Sequence, residues 1–284
     1  MLPEFQFKSR YVTINGHRMH YIDEGRGDVI TMVHGNPTWS YYFRHLVASL
    51  SKNYRVIVPD HIGCGLSAKP QTFEYTLKNH IDNLAALLNT LGITSTSLIV
   101  HDWGGAIGLG AAALHRIEIE KLVVLNTAAF RSTRIPLRIR ICRWPLVGAF
   151  LVRGLNGFAR TASFMAVTNP MSRETAAAYV QPYSSWGNRV AVHEFVRDIP
   201  LKEGHRSYQT LVDLERFVDK LAENPPPMTI IWGGRDFCFN DHFYNEWRSR
   251  FPAAEHHYFE NHGHYILEDG HGQVEPIIET FFAT

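Results

Sequence analysis

The 284-residue chain reads as an α/β protein with a mostly parallel sheet covered by helices on both faces. Three observations carry this. Buried-strand patterns recur at Val29–Val33, Tyr54–Val58, Ser97–Val100, Lys121–Leu125 and Met228–Trp232. Helical patterns separate them, most clearly where Leu77, Ile81, Leu84, Ala85, Leu88 and Leu91 fall at three- and four-residue steps. Asn36, Asp60 and Asp102 each sit just after a strand, on the edge where such sheets place their sites.

In chain order, Tyr11–Glu24 reads as two strands joined at Asn15-Gly16, a pair that tolerates the positive φ of a tight hairpin. Val29–Val33 runs into His34-Gly35-Asn36-Pro37-Thr38-Trp39, and a helix follows, roughly Tyr41 to Leu50. The strand Tyr54–Val58 ends in Pro59-Asp60-His61-Ile62-Gly63-Cys64-Gly65-Leu66-Ser67. The helix from Leu77 stops at Gly92. Ser97–Val100 turns at Asp102 into a helix of small residues, Gly104 to Ala113. After Lys121–Leu125 the alternation breaks, and residues 128–210 form a helical, Arg-rich insertion expected to cap the site. It resumes with Met228–Trp232 and Gly233-Gly234-Arg235-Asp236. A last strand, Glu255–Phe259, runs into Asn261-His262-Gly263-His264, and Val274–Phe282 closes as a helix. The expectation is eight strands, a core of residues 1–127 and 211–284, and a cap of residues 128–210.

A strand feeding a tight turn into a helix is the nucleophile elbow of the α/β-hydrolase fold, which is therefore the fold expected here. Gly104 and Gly105 give the helix room to pass close to the strand. Val100 stands where many hydrolases carry Gly, so the match to the common pattern is partial. The residue at the tip is Asp102, not Ser. A carboxylate attacks saturated carbon by in-line displacement and leaves an alkyl ester on the enzyme. The glycines that follow run Gly105-x-x-Gly108-x-Gly110, which is not the spacing of a dinucleotide turn.

Asp102, Asp236 and His264 follow strands in the order nucleophile, acid, histidine. His264, oriented by Asp236, can take a proton from water. The Asn36 amide and the Trp103 indole are neutral donors suited to a leaving anion. The backbone N–H groups of Asn36 and Trp103 could also serve as an oxyanion hole. Taken singly, Asp236 and Asn36 read as turn residues, His264 as a partnered histidine and Trp103 as a packing aromatic. Their joint placement reads as a site.

A net charge of +1 gives no bulk attraction to nucleic acid. Cys64, Cys142 and Cys238 are scattered, as suits reduced thiols in a cytoplasmic protein. The run Met1–Lys8 lacks the apolar core of a signal peptide, and no apolar run approaches membrane-spanning length. His256, His257, His262 and His264 crowd together without metal-ligand spacing, so neither metal nor cofactor is expected. Between residues 131 and 160 lie seven Arg and no Asp or Glu, interleaved with apolar side chains. Such a lid could rest on an anionic membrane or a partner protein, or simply be a solvated face.

His34-Gly35-Asn36-Pro37-Thr38-Trp39, His101-Asp102-Trp103-Gly104-Gly105, Trp232-Gly233-Gly234-Arg235-Asp236 and Gly263-His264-Tyr265-Ile266-Leu267-Glu268-Asp269 resemble the haloalkane dehalogenases over nearly the whole chain. One subgroup of that family has its acid after the strand that follows the elbow helix. Asn126 holds that place here and cannot serve, whereas Asp236 can. An Asp–His–Asp triad with an Asn–Trp donor pair is the pattern of the third subgroup. That subgroup is similar to the β-lactone decarboxylases of bacterial long-chain olefin biosynthesis. The run Pro59–Ser67, Pro182-Tyr183-Ser184-Ser185-Trp186-Gly187-Asn188-Arg189 and Phe237-Cys238-Phe239 also resemble those enzymes.

The resemblance implies a small hydrophobic substrate, with long alkyl arms if it is a cis-β-lactone, and contact with other olefin-pathway enzymes. A haloalkane substrate remains open. Epoxide hydrolysis remains open as well, because the cap holds Tyr179, Tyr183 and Tyr208, from which two proton donors could come. So does a binding protein that kept the pocket and lost the chemistry.

Overall fold

In the computed structural model, which describes residues 2–284, the chain builds one eight-stranded sheet. Met1, the first residue of the run read for a leader, lies outside the described residues. The strands are β1 (Arg10–Ile14), β2 (His17–Glu24), β3 (Val29–Val33), β4 (Arg55–Pro59), β5 (Ser95–Asp102), β6 (Glu118–Thr127), β7 (Met228–Gly233) and β8 (Glu255–Phe259). Their order in space is β1-β2-β4-β3-β5-β6-β7-β8. β2 pairs antiparallel with β1 and β4, and every other pairing is parallel. The first hairpin turns at Asn15 and Gly16, with φ of 49° and 80°.

Apolar residues of the parallel strands alternate between two buried layers, which is why their sequences read as continuous apolar runs. Leu98, Val100, Leu122, Val124 and Ile230 join one core, while Ile99, Val123, Leu125 and Ile231 join the other. β5 and β6 are longer than their apolar stretches, because polar ends also pair, from Ser95 opposite Glu118 to Asp102 opposite Thr127. Hydrophobic patterning does not see such ends.

The core helices before the cap are α1 (Arg44–Leu50), α2 (Leu77–Thr90) and α3 (Trp103–His115). The expected helix from Tyr41 opens instead as a tight 3-10 turn, Ser40–Phe43, pinned by the Ser40 N–H donating to Asp60 Oδ1 at 2.7 Å. Thr76 caps α2 by accepting from the Asn79 N–H at 3.2 Å, and Gly92 ends its reach with a φ of 71°. α3 is buried almost throughout, so its sequence carries no polar stripe. A Cβ on Gly104 would strike the Val33 carbonyl, so only glycine lets α3 leave β5 beside β3.

Between β6 and β7 the chain forms α4 (Leu137–Cys142), α5 (Pro145–Ala149), a π-turn (Phe150–Gly154), α6 (Gly157–Met165), α7 (Arg173–Val180) and α8 (Val190–Arg197). α9 (Tyr208–Glu223) then returns to the core against α2 and α3. The segment before α9 has a small core of its own, built on Val152, Ala159, Tyr183 and Val192. Arg189, nearly buried, donates to the carbonyls of Tyr183 and Ser184 at 2.8 and 3.1 Å and to those of Arg153 and Gly154. One guanidinium thus ties the π-turn to the turns before α8. The remaining helices are α10 (Asp241–Arg250), α11 (Ile266–Asp269) and α12 (Val274–Ala283). Among the described residues no helix is long and apolar enough to cross a membrane.

Asp60 follows a strand as expected, but its role is to hold loops. Its carboxylate is fully buried and accepts from His20 Nδ1 at 2.8 Å, the Leu66 N–H at 2.7 Å and the Ser40 N–H. Burial works against the charge, but His20 and these donors outweigh it and hold the Asp60 pKa down at about 2. A carboxyl depressed by folding stabilises the protein fully above its unfolded value near 3.9, and that stability is lost as pH falls toward the folded value. Asp60→Asn is expected to destabilise the fold by about 2–3 kcal/mol, because the amide turns an N–H toward donors that a carboxylate oxygen accepts from. Urea unfolding checks this. The gap between variant and parent should be full at neutral pH and shrink as the medium is acidified toward about pH 2.

Candidate active site

The turn that closes β5 puts Asp102 at φ 54° and ψ −127°, a backbone conformation that a non-glycine residue adopts only under strain. Several contacts hold it there. Thr127 Oγ1 donates to the Asp102 carbonyl, and the Trp247 indole N–H donates to the Thr127 carbonyl at 2.8 Å. The loop after β3 closes over the carboxylate, and a Cβ on Gly35 would occupy the place of the Asp102 side chain. The Asn36 backbone N–H donates to Asp102 Oδ1 at 2.7 Å. Of the two backbone donors read as an oxyanion hole, the Asn36 N–H thus holds an oxygen of Asp102 itself.

His264 lies between the two carboxylates. Its Nδ1 bonds Asp236 Oδ2 at 2.7 Å, and its Nε2 lies 3.4 Å from Asp102 Oδ2. All three residues are buried. Asp236 is saturated. Its Oδ1 accepts from the N–H groups of Cys238 and Phe239 at 2.6 and 3.0 Å, and its Oδ2 also accepts from Asn126 Nδ2 at 3.0 Å. Asn126, dismissed from sequence as an acid, thus orients the acid. It also accepts from the Gly233 N–H at 2.8 Å, fixing the strand end before Asp236.

Burial alone would push the His264 pKa down, but the charge of Asp236 and the bonds to Asp102 and Asp236 win and raise it. For Asp102, burial favours the neutral acid, but the hydrogen bond and charge of His264 prevail and lower its pKa. At neutral pH the resting site is an imidazolium between two carboxylates.

Other side chains hold this geometry. His101 Nε2 donates to the His264 carbonyl at 2.9 Å, and its ring lies against Tyr42 and His264, with centroids 4.4 and 4.5 Å away. Burial pushes the His101 pKa down to about 3, so it is neutral and acts as a strut. Asp269 accepts from the Gly263 N–H at 2.6 Å and steadies the loop that carries His264. His101 stands in the elbow run, but its burial and partner are tertiary facts that spacing does not reveal.

Asn36, Trp103, Asp102 and His264 open into one cavity of about 400 Å³. Its walls are apolar, with Phe130, Ile139, Leu151, Phe158 and Phe239 among the lining side chains. Arg134 and Arg138 are the two exposed side chains among the described lining residues. Trp103 is present as expected. Asn36 is only partly as expected, because its side-chain Nδ2 donates to the Val192 carbonyl of α8 at 3.2 Å. That contact uses one of the two amide N–H groups and leaves the other for a ligand. The cap tyrosines lie elsewhere. Tyr179 donates to Glu268 at 2.5 Å, Tyr183 reaches the Thr38 carbonyl at 3.4 Å, and neither they nor Tyr208 line the cavity.

Known proteins share this arrangement of chain. The model of the alpha/beta hydrolase fold family matches residues 28–271. The chain is 48% identical over 282 residues to a cis-3-alkyl-4-alkyloxetan-2-one decarboxylase of Shewanella oneidensis, spanning 97% of this chain and 88% of that protein. It is 40% identical over 293 residues to a protein of the same name from Xanthomonas campestris pv. campestris, spanning 98% and 97%. Among solved structures, a haloalkane dehalogenase from Agrobacterium tumefaciens matches with a TM-score of 0.87 at 23% identity, over 97% of this chain and 96% of that one. That last likeness is one of fold.

Proposed function

We infer, since this chain belongs to the α/β-hydrolase family and groups there with cis-3-alkyl-4-alkyloxetan-2-one decarboxylases, that it converts cis-3,4-dialkyl β-lactones to cis-olefins and CO2. The observation that carries the chemistry is a buried, ionised Asp102 facing an apolar cavity beside two neutral N–H donors.

Asp102 attacks the ring carbon that bears the lactone oxygen, on the face opposite that bond. The ring C–O bond breaks, and its electrons pass to the freed carboxylate. The Asn36 amide and the Trp103 indole hold this anion. The bond from the chain to that carboxylate then breaks and CO2 leaves. Its electron pair forms the double bond as the C–O bond to Asp102 breaks, which restores the nucleophile. No proton and no water enter. Inversion followed by anti loss is a net syn loss, so a cis lactone gives a cis alkene. His264, charged at rest, offsets the negative charge that Asp102 loses and regains.

A second reading, hydrolytic dehalogenation, is favoured by one observation: His264 and Asp236 form a complete water-activating pair beside Asp102. Alkylating Asp102 removes its charge, so the His264 pKa falls and the ring can act as a base at that stage. Epoxide opening lacks support, because Tyr265 is the one tyrosine among the described lining residues, and that reaction needs two. A binding protein without chemistry would not need a saturated, fully oriented triad. The three free thiols, Cys64, Cys142 and Cys238, suit action in the cytoplasm.

The purified enzyme should be offered a cis-β-lactone with two alkyl arms and, separately, a terminal bromoalkane. Cis-olefin with CO2 from the lactone, at a kcat/KM at least about tenfold above that for bromide release, is the expected outcome. Bromide and alcohol formed with no olefin would select dehalogenation instead.

A further inference from the structure

We propose that the cap docks on an anionic lipid bilayer, with the mouth of the cavity toward the lipid. Among the described residues, eight of the twelve large apolar side chains left exposed belong to the segment between β6 and α9. They include Leu137, Trp144, Leu146, Phe150, Phe164 and Trp186, with Leu137 at 71% and Leu146 at 86% exposure. Isolated exposed apolar residues are ordinary, but a concentration of them on one segment marks an interaction surface.

Charge selects the partner. Of the seven Arg between residues 131 and 160, Arg131 pairs with Glu215. The other six, Arg134, Arg138, Arg140, Arg143, Arg153 and Arg160, make no carboxylate ion pair among the described residues. Two of them lie over aromatic rings. The Arg153 guanidinium sits 4.7 Å from the Trp186 ring and that of Arg138 sits 4.4 Å from the Phe237 ring. Phe150 and Trp186 both lie beside Gly154. Guanidinium groups without a carboxylate partner, beside Trp, Phe and Leu, match an interface where headgroup phosphates lie above acyl chains. A second copy of this cap would instead bring like charges together.

The position of the patch also serves the site. Arg134 and Arg138 belong to this cationic set and are the exposed members of the cavity lining. A bilayer touching Arg134 and Arg138 therefore meets the cavity opening. A dialkyl substrate could pass between acyl chains and the apolar cavity without crossing water, a step that rests on the lactone reading above. Docking itself does not rest on it.

The test uses the full chain, without substrate, in co-sedimentation with vesicles. One set is phosphatidylcholine alone and the other is equal parts phosphatidylcholine and phosphatidylglycerol. The expected result is binding to the anionic set, at least about tenfold tighter than to the neutral set and weakened by salt. Arg140→Gln with Arg160→Gln should weaken it about fivefold per charge. Leu146→Ser with Phe150→Ser should weaken it about tenfold or more. None of these four residues lines the cavity, and unchanged thermal unfolding shows that the variants fold. No sedimentation with anionic vesicles, or equal binding to both sets, would overturn the proposal. So would a stable dimer that dissociates in the Leu146/Phe150 variant while vesicles leave the parent chain unbound.

Discussion

Asp102→Asn is expected to lower turnover of a cis-β-lactone by about 10⁴-fold or more, with the fold intact. The amide has the shape of the carboxylate, and its oxygen can still accept from the Asn36 N–H group. What it loses is the electron pair of an anion that can both attack carbon and leave again. His264 also loses one of its two negative partners, so its pKa should fall. The variant should lose some stability, because a carboxyl whose pKa folding lowers is removed, but it should still unfold cooperatively in urea, because the strained turn is held by the backbone and by Thr127. Steady-state rates with purified variant check the claim, and activity within tenfold of the parent would contradict it.

His264→Gln separates the two chemistries that the site could support. With a bromoalkane, the variant should release about one bromide per enzyme and stop, because nothing remains to activate water. Hydrolysis should fall by about 10²–10⁴-fold, the usual share of a general base. Intact mass should then show an alkyl adduct, and digestion should place it on Asp102. With a lactone the cycle closes without water, so turnover should continue, slowed by about 10²-fold because a buried positive partner of Asp102 is gone. Equal loss in both reactions would argue that the histidine acts as a base in both.

Much of this arrangement was legible in the sequence, and the reason is local. Strand-ending motifs place Asn36, Asp102, Trp103, Asp236 and His264 on one edge once the sheet is parallel, and the sheet follows from alternating apolar patterns. What stayed hidden depends on tertiary contacts. Asn126 looked like a missing acid, yet it donates to the acid across 110 residues of chain. Asp60 carries the same signature as Asp102, a carboxylate after a strand, but His20 and two backbone donors consume it. Tyr179 and Tyr183 sit in the cap, but their hydroxyls turn to Glu268 and to the Thr38 carbonyl. The second task of Asn36, bonding the α8 backbone, needed a partner 156 residues away. Each miss concerns where a polar group finds its partner, and periodicity carries no record of that.

The most direct test is isotopic. The enzyme is cycled many times on a cis-β-lactone in water enriched with heavy oxygen, and the peptide bearing Asp102 is then weighed. A carboxylate that bonds to carbon and leaves by elimination keeps its own oxygens, so the peptide should retain natural mass. Uptake of heavy oxygen at Asp102 in step with turnover would mean that water cleaves the ester, and the decarboxylation route described here would be wrong.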